Sequence, residues 1–214
     1  MPTITDLYGP AGHLEALLDE PAGAPRAAVV FAHPHPQYGG TMHTKAVYQG
    51  AKGLTRTGCV VLRINFRGVG RSAGTFNLGE GEKADFTAAL DYMANRYPGV
   101  PLWAAGFSFG SWVALEVGAD DDRVSALIGI APPVAPVVSE QDYRFDATLA
   151  STKPKFFVQG ESDEACPLQG MWAFYGKLLE PKELAVIDGA NHLFEGQTPE
   201  VGEALEELLA DFNG

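Results

Sequence analysis

Serine, histidine and aspartate, each in a separate turn, are the residues of this sequence best suited to covalent chemistry. Ser108 stands at the centre of GFSFG, residues 106–110, after the apolar run PLWAA and before a helical pattern that starts near Phe109. A serine at such a strand-to-helix turn needs a strained backbone, and small residues two positions to either side let strand and helix approach closely. The turn lifts the hydroxyl clear of the sheet and points the unpaired N–H groups of a helix N-terminus at any anion that forms there. The bare pattern also fits an ordinary glycine-rich loop, so the rest of the chain must supply what serine lacks.

Serine is not nucleophilic at neutral pH unless a base takes its proton and a third group orients that base. His192, in DGANHLFEG, follows the last strand-like run, where the sites of open parallel sheets gather. Asp163, in GESDEACP, holds the same position after the preceding run. Its neighbours Glu161 and Glu164 are alternative acids and Asp188 a weaker one, but the G-x-x-D spacing from Gly160 directs the Asp163 carboxylate back across the strand ends. Taken singly, His192 reads as a loop histidine and Asp163 as a helix cap. Cys166, beside the acid, is read as structural or incidental.

A developing oxyanion needs two aimed backbone donors. Phe109, the residue after the serine, supplies one. The other is expected from HPHPQYGG, residues 33–40, after the run AAVVFA. Pro34 and Pro36 have no N–H to give, which leaves His35 first, with Gln37 and Tyr38 behind it and also placed to touch substrate. His33, His35 and His43 invite a metal reading, but no cysteine or clustered aspartate completes a shell, and the expectation is no metal and no cofactor. NFRGVGRS, residues 65–72, lacks the endings of a phosphate or dinucleotide loop. It is read as a tight turn whose Arg67 bonds loop carbonyls near the site. Trp103, Trp112 and Trp172 are assigned to core or pocket wall.

Short β-branched or aromatic runs alternate with longer helical patterns, the signature of a mostly parallel sheet covered on both faces. Strands are expected at residues 27–32, 59–65, 101–106, 124–131, 155–159 and 183–188. Residues 3–8 and 13–19 flank the turn GPAG and are expected to form an antiparallel hairpin at the sheet edge, giving about eight strands. Helices are expected near 43–56, 80–96, 109–117, 167–179 and 198–212. Phe86, Ala89, Leu90 and Met93 lie at helical spacing and mark a buried stripe. Residues 132–152, with Pro132, Pro133 and Pro136, break the alternation as a long crossover with room for one short helix.

The 214 residues carry 15 basic and 27 acidic side chains, a net charge of −12, which argues against nucleic acid and anionic membrane surfaces as partners. Apolar residues at 46% and charged ones at 20% exclude disorder and coiled coil. Cys59 and Cys166 are too far apart for a CxxC site, and Cys59 opens an apolar run and is read as core. No stretch has the apolar length of a membrane span, and the N-terminus lacks the apolar core of a secretory signal. The expectation is one α/β domain over residues 1–214, soluble and cytoplasmic, acting on a small molecule, with a homodimer left open.

Together HPHPQYGGTM, NFRGVGRS, GFSFG, GESDE and GANHLFEG resemble the α/β-hydrolase superfamily, and within it small bacterial hydrolases similar to dienelactone hydrolases. The resemblance runs from about residue 29 to 212 and includes the chain order serine, acid, histidine. It implies a catalytic triad of Ser108, Asp163 and His192, with an oxyanion donor in the His35 region. Dienelactone hydrolases carry a cysteine nucleophile, whereas the elbow here holds serine, which moves the reading to a serine carboxylesterase. Many relatives insert a cap before the seventh strand, but the interval from Ala131 to Lys155 is too short for one. Short or compact acyl esters are therefore expected. The alternatives are the same triad acting on thioesters, amides or lactones or in acyl transfer, and a binding protein on the same fold without activity.

Overall fold

The computed structural model describes residues 3–137 and 142–212. The chain begins with four short strands, β1 (Thr3–Ile4), β2 (Tyr8–Gly9), β3 (Gly12–His13) and β4 (Ala16–Asp19). There follow β5 (Ala27–Ala32), α1 (Lys45–Arg56), β6 (Cys59–Ile64), α2 (Glu80–Arg96), β7 (Leu102–Phe107) and α3 (Phe109–Asp120). Then come β8 (Val124–Ile130), α4 (Asp146–Ala150), β9 (Lys155–Gly160), α5 (Leu168–Tyr175), β10 (Lys182–Ile187) and α6 (Thr198–Leu208). Eight of the strands form one sheet in the order β1-β4-β6-β5-β7-β8-β9-β10. From β6 to β10 every neighbour is parallel; β4 runs against β6, and β1 in turn runs against β4.

Side chains alternate across the central strands with period two. Val30, Leu62 and Ala104 face a core closed by α2, α3 and α5, while Phe31, Val61 and Trp103 face one closed by α1 and α6. Both faces are buried, so the strands read as continuous apolar runs. The charge in β6 is neutralised locally: Arg63 is buried and donates from Nε to Asp19 Oδ2 of β4 at 2.7 Å.

The expected hairpin forms, but in two pieces. Thr3 and Ile4 pair with Leu17 and Ala16 in the main sheet, whereas Tyr8 and Gly9 pair with His13 and Gly12 in a separate ribbon. The break falls at Glu15, whose N–H donates to Ser72 Oγ at 2.9 Å and whose carbonyl accepts from Asn65 N–H at 2.8 Å. The loop after β6 has taken the backbone groups that a continuous ladder would use.

Helix ends also differ from expectation. α5 stops at Tyr175, and the Lys182 ammonium caps the carbonyls of Tyr175 and Leu178 beyond it. α6 stops at Leu208, and Phe212 packs its ring on Trp103 and Phe156. The expected crossover contains α4 alone among its described residues; residues 138–141 of it lie outside them. It is tied along α3, with Trp112 Nε1 donating to Arg144 O at 2.7 Å and Thr148 Oγ1 to Glu116 Oε1 at 2.6 Å. No helix among the described residues is long and apolar enough to cross a membrane.

Candidate active site

The parallel strands end along one edge, where Ala32 of β5 lies beside Gly106 of β7, and Gly160 of β9 beside Ile187 of β10. The turns leaving that edge hold every residue singled out for chemistry.

Ser108 joins β7 to α3 with φ 53 and ψ −122, a left-handed conformation costing on the order of 1–3 kcal/mol in a residue with a Cβ. The turn is locked from both sides. Ser108 N–H donates to Ile130 O at 2.8 Å, and Ser108 O accepts from Ser111 Oγ at 2.6 Å and from Ser111 N–H at 2.9 Å. A Cβ on Gly106 would overlap the Gly110 carbonyl, and one on Gly110 would overlap the His33 carbonyl. The two glycines of GFSFG are thus required by the closeness of β7, α3 and the loop after β5.

His192 Nε2 lies 3.0 Å from Ser108 Oγ and its Nδ1 2.8 Å from Asp163 Oδ2. A carboxylate only accepts, so Nδ1 carries the hydrogen and Nε2 turns a lone pair to the serine hydroxyl. Asp163 is buried and held by three more donors: the N–H groups of Ala165 and Cys166, at 2.9 and 2.7 Å on Oδ1, and the Gln159 amide at 2.9 Å on Oδ2. The rival acids point elsewhere. Glu161 Oε2 accepts from Gly189 N–H at 2.8 Å, Glu164 Oε2 accepts from the His192 backbone N–H at 3.4 Å rather than from its ring, and Asp188 is exposed.

The loop after β5 turns through a single 3₁₀ turn, Pro36–Tyr38. Gln37 N–H donates to His35 Nδ1 at 3.2 Å and Tyr38 N–H to His35 O at 3.1 Å, so both amides are spent within the loop. His35 N–H has no acceptor among the described residues. Phe109 N–H, at the first position of α3, precedes the first intrahelical acceptor. Gln37 and Tyr38 are exposed, with the Tyr38 ring 4.7 Å from that of His35. Burial lowers the His35 pKa, and its Nδ1 already accepts, so this ring is a neutral imidazole.

His33 is wholly buried, donates from Nδ1 to Pro34 O at 2.6 Å and accepts at Nε2 from Phe66 N–H at 3.1 Å; burial drives its pKa down to about 4. His43 lies exposed. Among the described residues, Asp163, Cys166 and His192 bring potential metal-ligand atoms within 4.8 Å of one another. Both ring nitrogens of His192 are engaged in the hydrogen-bond chain, and burial pushes the Cys166 thiol far up, keeping it protonated.

Two expectations need correction. Arg67 does not bond loop carbonyls: its guanidinium grips Asp85 of α2 in a two-pronged pair at 2.7 and 2.9 Å, because that fully buried carboxylate needs a cation. Trp172 is half exposed and lies outside the core. Cys166 has the structural role among those expected of it: its N–H holds Asp163 and its carbonyl accepts from Gln159 at 2.8 Å. Gln159 itself escaped notice, although a polar residue ending an apolar strand was the available signal.

The doubly covered sheet, the serine elbow, and the acid and histidine on the last two strand ends define an α/β-hydrolase. The family model for serine aminopeptidase S33 matches residues 23–147, and the chain belongs to that family. It is 34% identical over 208 residues, 94% of this chain and 86% of the relative, to an uncharacterized protein of Rickettsia prowazekii (strain Madrid E). An alpha-beta serine hydrolase homologue from Coxiella burnetii superposes with a TM-score of 0.87 at 36% identity, covering 96% of each chain. XC6422 from Xanthomonas campestris, described as an a/b serine hydrolase without lid, gives 0.87 at 31% identity over 98% of this chain and 93% of that one. These proteins share the superfamily with the chain; a particular likeness to dienelactone hydrolases is not part of what they show.

Proposed function

We propose that the protein is a serine hydrolase that cleaves compact carboxylic esters through an acyl-enzyme. The observation that carries this reading is the continuous chain Ser108 Oγ, His192 Nε2, His192 Nδ1, Asp163 Oδ2, with links of 3.0 and 2.8 Å. Ser108 Oγ attacks the acyl carbon as Nε2 takes its proton, and Asp163 stabilises the imidazolium that forms. The negative oxygen lies against the N–H groups of Phe109 and His35, at the positive end of α3. His192 then protonates the leaving alkoxide, the C–O bond breaks, and the acyl group stays on Ser108. Water, deprotonated by the same Nε2, attacks the acyl-serine to release the acid and restore the serine. Gln37 and Tyr38 form the rim met by substrate. The neighbour without a lid and the crossover tied along α3 support an open site.

The test is a fluorophosphonate probe with the adduct mapped by mass spectrometry, alongside turnover of p-nitrophenyl esters. Ser108 is expected to carry the adduct and Ser108→Ala to carry none. Asp163→Asn should cost about 10³-fold or more in kcat, while Glu161→Gln and Glu164→Gln keep near wild-type rates. Labelling at another residue, or an indispensable Glu161 or Glu164, overturns the assignment. The family's description favours amide bonds as a second reading, which faster turnover of aminoacyl p-nitroanilides than of the matched esters would establish.

A further inference from the structure

We infer that the acyl side of this site is an aromatic shelf that selects substrates whose acyl group ends in a flat aryl ring; the inference rests on the reading of Ser108 as nucleophile. Three loops and one helix start bring rings together around His35 and Phe109, the residue after Ser108. His35 and Tyr38 come from the loop after β5, Phe76 from the loop after β6, Phe109 from the first residue of α3, and Tyr143 from the crossover. The His35 ring centroid lies 4.7 Å from Tyr38, 4.9 Å from Phe76 and 5.0 Å from Phe109. Phe109 lies 5.8 Å from Phe76 and 6.5 Å from Tyr143. The cluster grades from Phe109, 1% exposed and next to the nucleophile, through half-buried Phe76 and Tyr143 to Tyr38, 82% exposed at the mouth.

The placement assigns the shelf to the acyl group. In the tetrahedral intermediate the oxyanion faces the Phe109 and His35 amides and the leaving oxygen faces His192 Nε2. On the His192 side the next residue, Leu193, opens a cleft of about 550 Å³ lined also by Thr44, Lys45, Glu195, Gly196 and Thr198. That cleft offers charges and hydroxyls and suits an alcohol. The remaining substituent of the reacting carbon is left the uncharged aromatic side. An open shelf covers one face of whatever it holds, so a planar ring gains stacking there that a floppy chain does not.

The test is turnover of methyl 3-phenylpropanoate against methyl 3-cyclohexylpropanoate, followed by base uptake, with methyl butanoate as reference. Two methylenes insulate the ring from the carbonyl, so intrinsic reactivities match and the ratio of kcat/KM reports the shelf. We expect the phenyl ester to be favoured by about three- to tenfold, from the scale of aromatic pair interactions. The acetates of 2-phenylethanol and 2-cyclohexylethanol should show no such preference. Phe76→Ala and the milder Phe76→Leu should bring the acyl ratio toward one, with thermal unfolding confirming that each variant is folded. A ratio of one in the wild type, or a preference on the alcohol pair alone, overturns the shelf while butanoate turnover leaves the esterase reading standing. No turnover of any ester together with no phosphonate adduct on Ser108 removes both.

Discussion

Gln159 donates its side-chain amide to the same oxygen of Asp163, Oδ2, that faces His192 Nδ1, at 2.9 Å against 2.8 Å. The amide is fully buried at the end of β9, and its Nε2 also donates to Cys166 O at 2.8 Å while Oε1 has no partner among the described residues. Turned over, the oxygen would face two other oxygens, so the orientation is fixed even though a buried acceptor left unpaired costs ~1–3 kcal/mol. Gln159 thus aims the acid at the histidine from behind.

Gln159→Leu should therefore lower kcat by about ten- to hundredfold, from the ~1.5–3 kcal/mol that a hydrogen bond to a charged group contributes, with KM nearly unchanged. Steady-state kinetics on a soluble ester separates the two parameters. A variant that keeps kcat and loses only thermal stability would show the amide to be scaffolding alone.

A second expectation concerns His33, which links the loops after β5 and β6. With its pKa held near 4 by burial, the folded protein resists a proton that the unfolded chain accepts at about 6.5. The unfolded state binds more protons below 6.5, so stability is complete above that pH and falls as pH drops from 6.5 towards 4. The loss between pH 6.5 and 5 is on the order of 2 kcal/mol from this group. Urea unfolding of the wild type and His33→Gln at both pH values checks it: the variant should lose less than the wild type by about that amount. Parallel losses in the two proteins would place the acid sensitivity elsewhere.

What the sequence disclosed and what it withheld divide along one physical line. Ser108, Asp163 and His192 were readable because each needs a particular residue type at a strand end, and strand ends are marked by local apolar runs and turn residues. The strain at Ser108 was foreseeable too, since GFSFG places glycines where a Cβ would strike backbone. Arg67 was misread because its partner, Asp85, sits a loop and a helical turn away in sequence, and nothing local marks it as a buried anion. The split hairpin follows from Ser72 and Asn65 reaching Glu15 across 57 and 50 positions. Phe76 and Tyr143 lie in loops, where aromatic residues carry no periodic signal, and only the assembled fold brings them to Phe109. Local chemistry was legible; partnerships made by tertiary folding were not.

Chain length should be selected by the open site. The described part of the crossover is fastened along α3 through Trp112 to Arg144 and Thr148 to Glu116, and on the open-site reading proposed above it walls one side only. A methylene contributes ~0.8 kcal/mol only when it is removed from water, and an unbranched chain that outgrows an uncovered shelf extends into solvent. Along a series of straight-chain p-nitrophenyl esters, kcat/KM should peak at about two to six acyl carbons, by that burial argument. The rate should pass smoothly through the concentration at which the longer esters form micelles, because a site without a lid has nothing for an interface to open. A kcat/KM that climbs steadily to long chains, or a sharp rise at the micelle concentration, would mean that the crossover or a second copy of the chain roofs a buried acyl tunnel.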